Sequence, residues 1–150
     1  MKKMKKILYG ILFGAMLCCG WTSCDEDSDL SADIVGTWKG DFSAFYLKDS
    51  SDLANSDTCW ASVSLLSIKP EYPNAHEGTG FQRDYYHEGA WPMIETTINW
   101  EFVYGKLYIE YRDQPDRDIV IYDYTLNDST FVGWYGSFPW EHPFDLRKDK

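Results

Sequence analysis

Positive charge is scarce in this 150-residue chain once its first two dozen residues are passed. Four of the 14 lysines and arginines are Lys2, Lys3, Lys5 and Lys6, which leaves 10 basic against 24 acidic side chains over residues 24–150. That balance argues against a nucleic-acid partner, because phosphate binding needs clustered Lys and Arg to displace counterions. Cysteine is scarce as well. Cys18 and Cys19 lie inside the N-terminal apolar run, so only Cys24 and Cys59 remain beyond it, and a disulfide-stapled scaffold has no support. No apolar run reaches the roughly 20 residues of a spanning helix. Also missing are a nucleophile elbow, a phosphate loop and a dinucleotide fingerprint. The hydrophobic content of 44%, with 17% aromatic, excludes disorder for the bulk of the chain.

The N-terminus reads as an export signal over residues 1–23. The four lysines form a positive n-region, and Ile7 to Cys19 is an apolar stretch of 13 residues followed by the small, polar Thr22 and Ser23. Cys24 stands where such a signal ends. Trp21-Thr22-Ser23-Cys24 resembles a bacterial lipobox, without the usual Leu three residues before the Cys and with the Ser common in Bacteroidetes-type lipoproteins. The resemblance implies lipidation at Cys24 and anchoring of the chain to the membrane through that lipid, which leaves Cys59 a lone buried thiol. Residues 24–33 then carry Asp25, Glu26, Asp27, Asp29 and Asp33 without a cation, which predicts an extended acidic tether. Acidic residues just after a lipidated Cys resemble the tag that sends such lipoproteins to the outer face of the outer membrane. The alternative is an anchor facing the periplasm.

From residue 34 to 150 the pattern has period two, broken by turn residues, and predicts antiparallel strands. Gly36, Trp38, Gly40 and Phe42 share one face of the first segment, opposite Thr37, Lys39 and Asp41. A loop follows at about residues 48–58. Cys59 to Ile68 is a strand, Glu71 to Gly80 a loop, and Phe81 to Tyr86 a short strand. In the clearest hairpin, Ile94, Ile98, Trp100 and Phe102 turn at Tyr104-Gly105 to face Leu107, Ile109 and Tyr111. Asp118 to Leu126 and Thr130 to Tyr135 form the last predicted pair. Pro139 and Pro143 exclude a central strand over Phe138 to Phe144, which is expected to lay its aromatics across a barrel end while residues 147–150 fray. Seven or eight strands with short turns bury their edges best by closing, so the expected fold is an all-β up-and-down barrel.

Gly36-x-Trp38 at the head of a meander, behind a lipoprotein signal, resembles the lipocalin-like lipoproteins of the Bacteroidetes type, within the calycins. That resemblance implies that Trp38 plugs the closed end, that Gly36 permits close approach there, and that a cation covers the indole. Arg147, the only arginine after the last predicted strand, is the candidate for that cation. It also places the 48–58 loop as a lid over the open end.

Catalytic chemistry finds little footing. His76, His87 and His142 lack metal-ligand spacing, and no metal or other cofactor is expected. Asp113, Asp116 and Asp118 lack the order of a calcium loop. Glu95, Glu101 and Glu110 belong to the wet faces of a hairpin, where cross-strand balance with Lys106 and Arg112 is the ordinary role. Asp128-Ser129-Thr130 resembles a short O-glycosylation signal. The aromatic excess has the strongest functional pull. Trp100, Tyr111, Tyr122, Tyr124 and Trp134 are the candidates for a pocket holding a small apolar, aromatic or sugar ligand. The reading is therefore a non-catalytic binding barrel. Its alternatives are a solid interaction module of the cell envelope, a small envelope enzyme or a protease inhibitor.

Overall fold

The structure, a computed structural model, describes residues 26–48, 57–88, 92–137 and 140–150. Cys24 and the signal lie outside the described residues. The chain opens with helix α1 (Glu26–Ile34) and continues through β1 (Gly36–Asp41), β2 (Phe45–Leu47), β3 (Thr58–Trp60), β4 (Val63–Pro70) and β5 (Glu77–Tyr85). Then come β6 (Met93–Val103), β7 (Lys106–Tyr111), a 3-10 turn (Pro115–Arg117), β8 (Ile119–Leu126), β9 (Thr130–Ser137) and β10 (Trp140–Lys148). Eight strands, β1 and β4 to β10, form a closed antiparallel barrel. Consecutive strands pair, and β1 bridges β4 and β10. Closure removes both sheet edges. Strands β2 and β3 make a separate hairpin between β1 and β4, at the end of the barrel where β1 finishes.

Alternation carries through where it was clearest. Ile98, Trp100 and Phe102 of β6, and Leu107, Ile109 and Tyr111 of β7, are all buried, while Glu95, Glu101 and Glu110 are exposed. Strand β5 runs longer than expected, through Gly78 and Gly80. At Gly80 a Cβ would lie 1.9 Å from the Ser67 carbonyl oxygen, so glycine there marks β4 pressing close rather than a loop.

The acidic segment is not an extended tether: residues 26–34 are helical. Leu30 and Ile34, four residues apart, fall on one helix face with Ser31 and pack against the core, Ile34 and Ser31 being fully buried. The Asp27 carboxylate accepts from the backbone N–H groups of Tyr104 (3.0 Å) and Gly105 (2.7 Å) in the β6–β7 turn, where Tyr104 has φ +52°. Tertiary burial and this cap outweigh the charge repulsion that favours an extended chain.

The C-terminal stretch also departs from expectation. Instead of lying across a barrel end, residues 140–148 are the closing strand β10, paired with β9 along its length and with β1 from Asp145 to Lys148. Pro143 is tolerated because β1 has already ended. The last β1–β10 pair is Asp41 with Asp145, and beyond it the Pro143 carbonyl accepts from Ser43 Oγ at 2.6 Å. A strand residue sends its N–H and C=O to the same side, so the missing N–H of Pro143 falls outside the ladder.

Candidate functional site: a sealed end and an aromatic mouth

The two barrel ends differ in chemistry. At the α1 end, Trp38 is fully buried, meets Phe131 edge-on at 5.8 Å between centroids, and donates from Nε1 to the Ile34 carbonyl at 2.7 Å. The cation over its face is Lys148, with Nζ 4.4 Å from the ring centroid. This corrects the expectation of Arg147, and strand alternation gives the reason. Trp38 and Lys148 are register partners, so both face inward, whereas Arg147 faces solvent and binds Asp145 and Thr130. Lys148 Nζ also donates to the carbonyls of Asp33 (2.9 Å) and Val35 (2.5 Å). Carbonyls at the end of α1, left without partners inside the helix, are thus satisfied by Trp38 and Lys148 together. Burial lowers the Lys148 ammonium from its usual range, partly offset by Asp33 and Asp128. Gly36 fits this seal: at φ +129°, an added Cβ would lie 2.8 Å from Lys148 Cε.

The opposite end is open. A cavity of about 910 Å³ enters there. Phe42 and Tyr135 stack in its wall, with centroids 5.0 Å apart and planes at 16°. Ile94, Ile119 and Leu47 add aliphatic surface, and the exposed rim carries Trp140 at 76% exposure. The β2–β3 hairpin stands over this mouth. Its Phe45 and Trp60 rings sit 5.0 Å apart, each also facing His142. The loop expected as a lid, residues 48–58, joins these two strands, and its residues 49–56 lie outside the described residues.

Polar groups line the inner part of the mouth. Gln82 is buried, and its Nε2 donates to both Asp84 oxygens at 3.0 Å. Ser64 Oγ donates to Asp84 Oδ1 at 2.6 Å, and the Tyr111 hydroxyl donates to Gln82 Oε1 at 2.5 Å. Burial raises the Asp84 carboxyl above its usual range, while the hydrogen bonds from Ser64 and Gln82 and the charge of Arg117 pull it back. Burial likewise keeps the Tyr86, Tyr111 and Tyr135 phenols protonated well above their usual range. These hydroxyls are therefore donors, and Tyr135 donates to the Phe42 carbonyl at 3.0 Å. The guanidinium of Arg117, from the 3-10 turn, lies 5.0 Å from the Tyr111 ring centroid and donates to Gln114 Oε1 at 3.0 Å.

Of the five aromatic candidates, only Tyr111 lines this cavity. Trp100 is buried toward the sealed end, donating from Nε1 to the Lys69 carbonyl at 3.0 Å. Tyr124 is half-buried there, its hydroxyl on the Gly105 carbonyl at 2.8 Å and its phenol pushed up to about 12 by burial. Trp134 and Tyr122 are exposed on the outer wall, Tyr122 bonded to Glu141. A β-bulge in β8 between Ile121 and Asp123 separates Tyr122 from Tyr124. It leaves Tyr122 outside while changing the inward parity from Ile119 and Ile121 to Tyr124 and Leu126. Phe42, Tyr135, Arg117, Trp140 and His142 are the cavity residues the sequence reading missed as ligand contacts. Phe42 carried a signal in sharing the inward face of Trp38, and Trp140 and His142 in belonging to the stretch expected to lay its rings across a barrel end.

Elsewhere, Glu95 pairs with Arg83 across β5 and β6, and Arg112 donates to Asn99, so the expected charge partners are replaced. Glu101 and Glu110 line an outer-wall groove of about 600 Å³. Cys59 is a buried free thiol, and Ser129 lies in an exposed turn. Among the described residues, no group of three or more His, Cys, Asp or Glu side chains could hold a metal ion. No family model, no curated protein and no solved structure matches this chain.

Proposed function

We propose that this protein is a non-catalytic binding barrel of calycin type, anchored through a lipid on Cys24, that takes a small, largely apolar ligand through its open end. One observation carries the reading: the barrel is plugged at one end and hollow at the other. The cavity of about 910 Å³ falls in the range of small-molecule sites, roughly 300–1,000 Å³. Its walls combine stacked aromatics with a few fixed polar groups, the composition that holds an apolar or aromatic ligand in one orientation. The anchor and the mouth are compatible. Helix α1 starts at Glu26, two residues after Cys24, and its Asp27 reaches the β6–β7 turn at the sealed end. A lipid there leaves the mouth facing away from the bilayer, and the outer membrane, with the domain at the cell surface, is the compartment the acidic leader favours.

The neutral probe N-phenyl-1-naphthylamine tests the cavity. It is expected to bind the full chain with one-to-one stoichiometry. Ile94→Trp, which fills the mouth from a half-buried wall position, is expected to weaken binding at least about tenfold with unfolding unchanged. Saturable binding that Ile94→Trp leaves intact contradicts the reading, as does no binding at all. Metabolic labelling with palmitate, lost in Cys24→Ala, tests the anchor.

A further inference from the structure

We propose that the ligand of this mouth carries a single acid group on an apolar body, and that Arg117 is the residue that recognises the acid. This rests on the binding reading above and names the class of molecule bound. The starting point is an imbalance. The chain has ten more formal negative than positive charges, yet among the described residues no carboxylate lies within 4.0 Å of the Arg117 guanidinium. Arg117 is half-buried and, among the described residues, is the only Lys or Arg lining the cavity. Among the described residues its guanidinium donates to the neutral side-chain amide of Gln114, and the Tyr111 ring holds it by a cation–π contact.

A guanidinium presents five N–H donors in a planar fork that suits a carboxylate, sulfonate or phosphate, so this one is left with donors to spare. Three acids lie nearby, and Asp116 and Asp118 line the same cavity. Asp84 is tied to Ser64 and Gln82, and Asp118 Oδ1 accepts from the Tyr111 backbone N–H at 2.8 Å. Asp116 is solvent-exposed. These two flanking carboxylates at the rim disfavour a polyanion, which limits the ligand to one acid group seated at Arg117. Phe42, Ile94 and Ile119 of the same cavity are apolar and would take the body of the molecule.

Two probes with the same ring skeleton isolate the acid. 8-Anilinonaphthalene-1-sulfonate carries a sulfonate, and N-phenyl-1-naphthylamine carries none. Both are titrated against the full chain, and the readout is the ratio of their affinities. The sulfonate is expected to bind about tenfold more tightly, as a charge-assisted contact allows. Arg117→Gln is expected to bring the ratio close to one, and Arg117→Lys to restore part of it. Arg147→Gln, on the outer wall, is expected to leave the ratio unchanged. A neutral probe that binds as well as or better than the sulfonate overturns the assignment of an acid, as does a ratio that Arg117→Gln leaves intact, while the cavity reading survives. If neither probe binds, the cavity reading fails and this inference fails with it.

Discussion

The two ends of this barrel start from the same alternation of inward and outward residues and reach opposite outcomes. At the α1 end, the inward positions hold the largest rings, and each polar atom among them has a partner within the protein: Trp38 Nε1 on Ile34, Lys148 Nζ on two carbonyls, Trp100 Nε1 on Lys69. At the mouth, the inward positions alternate rings with Gln82, Asp84 and Ser64, and a guanidinium reaches in from a turn. A helix covers the first end. A two-stranded flap stands over the second. Period-two patterning specifies a closed wall, while the contents of each end are decided by what the connecting segments contribute: α1 on one side, the 3-10 turn and the β2–β3 hairpin on the other.

Breaking the sealed end has the largest expected effect. Trp38→Ala removes a fully buried ring and leaves a cavity in its place, and should cost about 3–5 kcal/mol of unfolding free energy in denaturant titrations. A loss under about 1 kcal/mol would show that the indole is not the plug. Next comes its cation. Lys148→Met keeps the length and loses the contacts to the ring and to two carbonyls, for an expected loss of about 1–3 kcal/mol. Arg147→Gln should stay within about 0.5 kcal/mol, because its partners are solvent-exposed. Equal effects at the two positions would erase the distinction between the inward and outward faces of β10.

The smallest effect sharpens the other end. The Asp84 carboxyl titrates higher in the folded chain than unfolded, mainly through burial, so ionising it works against folding. Its stability contribution is therefore present at low pH, declines as pH rises from the ordinary 3.8 through the raised folded value, and is level beyond. Asp84→Asn removes this dependence. The stability difference between variant and native chain should shift in favour of the variant as pH rises from about 3 to 7. A difference that is constant, or that shifts the other way, would contradict a carboxyl whose ionisation opposes folding.

Much of the wall was legible in the sequence because alternation and turn chemistry are local. The β6–β7 hairpin, the turn at Tyr104-Gly105 and the inward Trp38 and Phe42 all follow from spacing alone. What was hidden depends on long-range partners. The bulge after Ile121 separates Tyr122 from Tyr124, which spacing alone groups together. Pro143 argues against a strand only if its N–H is needed, and the early end of β1 makes it unnecessary. Register chooses Lys148 over Arg147, and register is invisible in one sequence without the partner strand. Asp27 in α1 finds a turn 77 positions away, so its neighbours read as a solvated acidic run. Arg117 sat in a polar turn, and only closure of the barrel carries that turn to the mouth.

The central claim, one sealed end and one receptive end, is tested most directly by isoleucine methyl NMR during titration with N-phenyl-1-naphthylamine. Ile94 and Ile119 line the mouth, whereas Ile34 and Ile68 belong to the buried core near α1. Saturable shifts at Ile94 and Ile119, with Ile34 and Ile68 unmoved, are expected. Shifts concentrated at Ile34 and Ile68, or none at Ile94 and Ile119 while the probe binds, would contradict it.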